Sequence, residues 1–174
     1  MSNEKKSKPL TRHGQAYLAE EHEWLARTER PRVLQKISNA AAEGDRSENA
    51  EYIYGKKRLR EIDSRLRYLD KLLKDAKIVD QNTITGDRVC FGATVVVEDI
   101  DGNQKTWTLV GEGESEFHEF GISWKSPVAK SLWGKEEGEE IIIKRPAGNL
   151  EVEILEIKFG VFTASSIRDY KFSV

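Results

Sequence analysis

The sequence predicts an α+β protein in two parts: an N-terminal antiparallel helical coiled-coil hairpin and a small C-terminal α+β domain. Three observations carry that prediction. Apolar positions spaced 3 and 4 apart run from Tyr52 to Ala76. Beyond Gly86 the pattern changes to short runs rich in β-branched residues. Charge also divides between the halves: residues 1–80 carry 18 Lys+Arg against 14 Asp+Glu, and residues 81–174 carry 10 against 16.

In 174 residues, 38% are hydrophobic and 33% charged, more charge than an average globular domain holds. An elongated part with much surface per residue explains that ratio. No apolar run approaches the roughly 18 residues of a membrane span. The first residues, MSNEKKSKPL, lack the apolar stretch of a secretory signal. Cys90 is the only cysteine, so no internal disulfide is expected, and with His13, His22 and His118 it does not make a zinc site. Phosphate-cradling glycine motifs are missing, which argues against a nucleotide-handling enzyme. These features predict a soluble cytoplasmic protein that makes no membrane contact.

Residues 1–9 read as a polar, disordered N-terminus, and 10–79 as the hairpin. Thr11 is placed to cap a helix starting near Arg12. Leu18, His22 and Leu25 share a stripe before Pro31, which kinks or divides the helix; Leu34, Ile37 and Ala41 share one after it. The following seam is Tyr52, Gly55, Leu59, Ile62, Leu66, Leu69, Leu73 and Ala76, an a/d pattern over four heptads. So narrow a stripe packs on a single partner helix. The short turn at Gly44 makes the preceding helix that partner, giving a rod of roughly 45 Å. A homodimeric coiled coil is the alternative, but the intramolecular hairpin, and so a monomer, is expected.

The tip of the hairpin, Gly44 to Tyr52, reads G-D-R-S-E-N-A-E-Y. Asp45 and Glu48 stand three apart on one side of a helical turn. One reading is a capping box that ties the helix start to itself. The other is a carboxylate pair able to hold a hard divalent cation and orient its water. Next comes a basic stretch in which Lys56, Arg60 and Arg67 share one face, with Lys57 beside them. It is either a solvated flank or a strip that guides a nucleic-acid strand by its phosphates. Tyr54, off the seam, is the residue better placed to touch a base; Tyr52 belongs to the seam.

Residues 80–160 form the second domain, after a polar linker at Lys77–Gly86. Val89–Val97, Gln104–Val110, Gly121–Trp124, Glu139–Lys144 and Leu150–Lys158 read as strands, with a turn at Asp101-Gly102. Pro127–Trp133 reads as a short helix with Pro at its start. Cys90 is expected to be a buried strand residue. The loop Glu112–Glu119, with five acids or histidines, reads as a solvated acidic loop rather than a metal site. Residues 161–174 are an extension with no assigned role.

Several of these segments resemble the bacterial Gre transcript-cleavage factors, the GreB type more than GreA. They are G-D-R-S-E-N-A-E-Y, the run K-K-R-L-R-E-I-D-S-R-L-R-Y-L from Lys56 to Leu69, and K-I-V-D from Lys77 to Asp80. Phe91–Val95, Ile122–Leu132, Gly134–Gly138 and Pro146–Gly148 are also similar to that family. The resemblance implies an FKBP-like C-terminal domain docked at the rim of the RNA polymerase secondary channel, with the coiled coil entering it. It implies that Asp45 and Glu48 share a Mg²⁺ with the polymerase active site, none being held tightly by the free protein. It also implies that Lys56, Lys57, Arg60 and Arg67 meet the extruded 3′ end of backtracked RNA, and that Lys125, Ser126 and Pro127 belong to the docking loop. The family tends to carry an acid or amide where this chain has Lys125. A lone carboxylate pair holds Mg²⁺ weakly, so the expected role is stimulating the polymerase's own cleavage, not free-standing nuclease activity. Two rivals from other classes are a channel-binding regulator without cleavage and a peptidyl-prolyl isomerase or chaperone, since fold alone does not carry function.

Overall fold

The computed structural model describes residues 8–42, 49–80 and 83–160. Asp45, Glu48, the first seven residues and the extension 161–174 lie outside the described residues. The chain divides into two compact units: Ala16–Asp75, and Met1–Gln15 together with Ala76–Val174. Among the described residues, no helix is long and apolar enough to cross a membrane.

The helical unit contains α1 (Arg12–Trp24), a π-helical turn at Leu25–Glu29, α2 (Arg30–Ala42) and α3 (Ala50–Lys74). Partners across the hairpin show its antiparallel sense: His22 meets Asp70, Arg30 meets Asp63, Gly55 lies against Ile37, and Asn49 reaches Ala40. The seam therefore closes within the chain. On α3, Gly55, Ile62 and Leu69 are buried at heptad spacing. Leu59, Leu66 and Leu73 are only half-buried, and Leu72 takes the buried place expected of Leu73.

On the other side the buried line is Leu18, Leu25, Val33 and Ala40, with one spacing of 8 among spacings of 7. The π-helical turn supplies the extra residue: the Arg30 N–H donates to the Leu25 carbonyl, five residues back. Pro31 falls just beyond it, so its missing donor sits where the ladder is already re-spaced. The turn shifts the phase of the following helix. As a result Val33, Ile37 and Ala40 face α3, and Leu34 is left exposed, in place of the expected stripe Leu34–Ile37–Ala41.

The other unit begins with a strand. Lys8–Thr11 (β1) pairs in parallel with Ala76–Val79 (β2), Lys8 opposite Ala76 and Thr11 opposite Val79. This corrects three expectations: Lys8 and Pro9 are ordered, the helix stops at Lys74, and the supposed linker opens with a strand. A partner strand 68 residues away is invisible to local patterning. The remaining strands are β3 (Thr94–Asp99), β4 (Gln104–Val110), β5 (Gly121–Ser123), β6 (Glu140–Ile143) and β7 (Leu150–Lys158). Their order is β5-β4-β3-β7-β6, antiparallel throughout except between β4 and β5. Helix α4 (Pro127–Leu132) packs Ala129 and Leu132 into a core with Val95, Val97, Leu109, Ile143 and Ile154. Burying each of the larger side chains contributes about 1.5–3 kcal/mol. The first strand starts later than expected because Gly92, at φ 86°, turns the chain; Cys90 precedes that turn and is half-buried, with its thiol pKa raised by burial.

The loop after β4 is not the solvated acidic loop expected from its composition. Glu114 is 1% exposed and His118 is buried. Thr11 explains the first: its N–H donates to Glu114 Oε1 at 2.8 Å and its hydroxyl to Oε2 at 2.7 Å. That hydroxyl also accepts from the Gly14 N–H at 2.8 Å, capping α1 as expected. Glycine at 14 and 111 makes room, since a Cβ at either would collide with the Glu114 carboxyl. Burial pushes the Glu114 pKa up to about 7, against the opposing hydrogen bonds from Thr11 and Gly111. Burial, aided by the charge of His13, pulls His118 down to about 4.

The two shifts act oppositely on stability. Between pH 4.5 and 7 the folded state holds Glu114's proton more tightly than the unfolded chain, so stability falls as pH rises. Between pH 4 and 6.5 the unfolded chain protonates His118 first, so stability rises with pH. In denaturant titrations, Glu114→Gln should gain on the wild type by about 3 kcal/mol as pH is raised from 4.5 to 7. Parallel curves across that window would contradict the assignment.

Candidate functional site

The helix after the tip starts at Ala50, and its cap is Asn49, not Asp45. Asn49 Oδ1 accepts from the Tyr52 N–H at 3.1 Å, while Asn49 Nδ2 donates to the Ala40 carbonyl at 2.9 Å. One amide thus caps the start of α3 and also satisfies a carbonyl in the last turn of α2. Just beyond, Tyr54 is 70% exposed and Ile53 is exposed, whereas Tyr52 is half-buried in the seam.

The arginines and lysines of α3 divide into two sets. Arg58 and Arg65 point to the partner helix: Arg65 forms a two-pronged pair with Glu21 at 2.7 and 2.9 Å, and Arg58 approaches Glu29 at 3.7 Å. Lys56, Lys57, Arg60 and Arg67 are exposed. At 100° per residue, Lys56, Arg60 and Arg67 lie within about 40° of one another. Lys71 extends that face toward the helix end, where Lys71 and Lys74 also complement the helix dipole. The sequence reading missed Lys71; its spacing of 4 from Arg67 was the available signal. With Arg58 and Arg65 turned to the hairpin and Asp63 paired with Arg30, the outer face is predominantly basic, flanked by the exposed Glu61 and Asp70, and is suited to a polyanion.

In the sheet unit, Ser126 caps α4, its Oγ accepting from the Ala129 N–H at 3.1 Å, and Pro127 is the first helical residue. Lys125 Nζ lies 3.0 Å from Glu112 Oε2 and 5.5 Å from the Trp124 ring centroid. Its positive charge is therefore balanced locally. Trp124 in turn lies 6.2 Å from Trp133, which is 45% exposed. The loop that carries Lys125, Ser126 and Pro127 thus presents aromatic surface beside a compensated charge.

On the opposite side of α4's core, a groove of about 450 Å³ is lined by Glu98, Glu140, Glu151 and Glu153. Strand register puts Glu98 opposite Glu153, and Glu153 opposite Glu140. Such a row repels a nucleic-acid strand, so the basic face of α3 is the surface that fits one. No group of three or more potential metal ligands occurs among the described residues.

Two family models match the chain: "Transcription elongation factor, N-terminal" over residues 8–78 and "Transcription elongation factor, GreA/GreB, C-term" over residues 84–159. The chain is 48% identical to Transcription elongation factor GreB of Yersinia pestis over 157 residues, 90% of this chain and 92% of the relative. It is 47% identical to GreB of Pseudomonas aeruginosa, over 86% of this chain and 89% of that protein. Identity to Transcription elongation factor GreA of Nitratidesulfovibrio vulgaris is 40%, over 87% and 93%.

The division of the basic residues has a direct consequence for stability. Replacing Lys56, Arg60 and Arg67 together by Ala should leave thermal unfolding of the hairpin within about 0.5 kcal/mol of wild type, as for exposed positions. Arg65→Ala should cost about 1 kcal/mol or more, since it strands the largely buried Glu21 carboxylate. Equal losses from both variants would show that the outer face is structural.

Proposed function

Because the chain belongs to the GreA/GreB family of transcription elongation factors, we propose that it binds bacterial RNA polymerase through the secondary channel. There it stimulates the polymerase's own Mg²⁺-dependent cleavage of backtracked RNA and so rescues arrested complexes. It acts as a monomer and is not a nuclease alone. The observation that carries this reading is the exposed basic face of Lys56, Arg60 and Arg67 on α3, the helix that Asn49 caps just after the acidic segment of the sequence.

The donor chemistry fits the ion. Two carboxylates supply hard oxygens suited to Mg²⁺, but two are too few for a tight site, so the remaining ligands come from the polymerase. Magnesium, when bound there, polarises the scissile phosphate and lowers the pKa of water. Asp45 and Glu48 would help to hold the ion, and their carboxylates would accept a hydrogen bond from the attacking water and then its proton. Hydrolysis joins that oxygen to phosphorus and releases the 3′ oxygen with a proton, which frees a short 3′ fragment.

The outer face of α3 supports the second half of the reading. Lys56, Lys57, Arg60 and Arg67 track phosphates of the extruded strand, and Tyr54 offers a ring to an unstacked base. Lys125, Ser126 and Pro127 form part of the docking surface. The pairing of Lys125 with Glu112 reduces the effect of its sign at that surface.

The test uses stalled, backtracked elongation complexes carrying 3′-labelled RNA. Wild type should release short 3′ fragments, and Asp45→Asn/Glu48→Gln should abolish release while polymerase binding persists. Removing Lys56, Arg60 and Arg67 should slow cleavage of long backtracked RNA more than dinucleotide release. Binding with no release by wild type would instead establish a channel-occupying regulator.

A further inference from the structure

Glu29 is the one acid buried in the hairpin seam among the described residues, 1% exposed at the end of the π-helical turn. Arg32 holds it with two hydrogen bonds, Nε to Oε2 at 2.8 Å and Nη2 to Oε1 at 3.0 Å. Arg58 approaches from α3 with Nε 3.7 Å from Oε1. The Arg32 bond above all, with the charges of Arg32, Arg58 and Lys36, holds the carboxyl below the ordinary glutamate range despite its burial. The ion stays charged inside a rod two helices thick.

That position answers a problem in the seam. Leu18, Leu25, Val33 and Ala40 face Gly55, Ile62 and Leu69, and apolar heptads match again when one helix slides by seven residues, about 10 Å. Most other cross-helix pairs carry a substantially exposed partner and are worth little. A seven-residue slide would bring Glu51 or Arg65 to the place of Arg58: the first sets two carboxylates against each other at Glu29, and the second draws Arg65 off the largely buried Glu21. The π-helical turn is the same device on the other axis: its extra residue fixes the rotation of α2 on which Val33 and Ala40 face inward.

We propose that Glu29, clamped by Arg32 and Arg58, is a positioning residue that sets the register of the hairpin. Resting on the function proposed above, it thereby fixes how far and at what rotation the helices deliver Asp45 and Glu48. It contributes specificity of register more than stability, as a single buried polar residue does in coiled coils.

The test reads register directly. Spin labels are placed at Ser38→Cys and Ser64→Cys, exposed positions on the two helices about 15 Å apart along the axis. Cys90→Ala removes the native thiol. With Glu29 present, electron–electron distance measurements should give one narrow distribution. Glu29→Leu should add a second population displaced by about 5–10 Å, with a melting temperature equal to or above wild type. Arg58→Met, which leaves Glu29 bound to Arg32 and lets Arg65 take the vacated place, should also add a displaced population, so the question is answered even if Glu29→Leu folds poorly. In backtracked complexes Glu29→Leu should cut cleavage at least 10-fold with polymerase binding unchanged. A single unshifted distribution in both variants overturns the proposal, whatever the cleavage result. A shifted distribution with cleavage indifferent to both Glu29→Leu and Asp45→Asn supports the register role and overturns the cleavage reading instead.

Discussion

Two helices that pack only on each other have one seam, with no third layer to correct an error in it. In Ala16–Asp75 that seam is a single row of aliphatic side chains on each helix, Leu18 to Ala40 against Gly55 to Leu72. Gly55 marks a close approach, because a Cβ there would press to 2.7 Å from Ile37 Cγ1. Ion pairs flank the row, and Asn49 ties its far end across to Ala40. Whatever the residues beyond Ala42 do, they do it from the place this seam gives them.

The seam also decides which charges remain available. Arg30, Arg58 and Arg65 are held by Asp63, Glu29 and Glu21. What stays on the outer face of α3 is Lys56, Lys57, Arg60, Arg67 and Lys71, with Tyr54 and Ile53 exposed near its start. The sheet unit carries the opposite character in its glutamate-lined groove. The small net charge of -2 therefore conceals a protein with one surface fit for a phosphate chain and another that rejects it.

The hairpin was legible because its signal is local: a heptad seam and a run of basic residues need only neighbours along one helix. The later strands from Gln104 to Lys158 were legible for the same reason, through alternation and turn glycines. Features that depend on distant partners were not. Thr11 makes Glu114 a buried acid across 103 residues, and Ala76 makes Lys8 a strand residue. The π-helical turn lay between. Its trace is the spacing of 8 from Leu25 to Val33, but Leu34 offered an equally apolar stripe, and only packing chooses between them. Of the candidate site, the exposed basic residues of α3 and the Ser126-Pro127 start of α4 were legible in the sequence. The role of Asn49 was hidden by the better-looking capping box at Asp45 and Glu48.

The central claim is that the tip carboxylates complete a metal site that the polymerase holds only in part. Magnesium dependence tests it most directly. In backtracked complexes saturated with the protein, fragment release should reach half its maximum at a lower Mg²⁺ concentration than in complexes without it. Asp45→Asn, bound equally well, should return that midpoint to the value of polymerase alone. An unchanged midpoint with wild type, or a lowered one that persists in Asp45→Asn, would contradict the account.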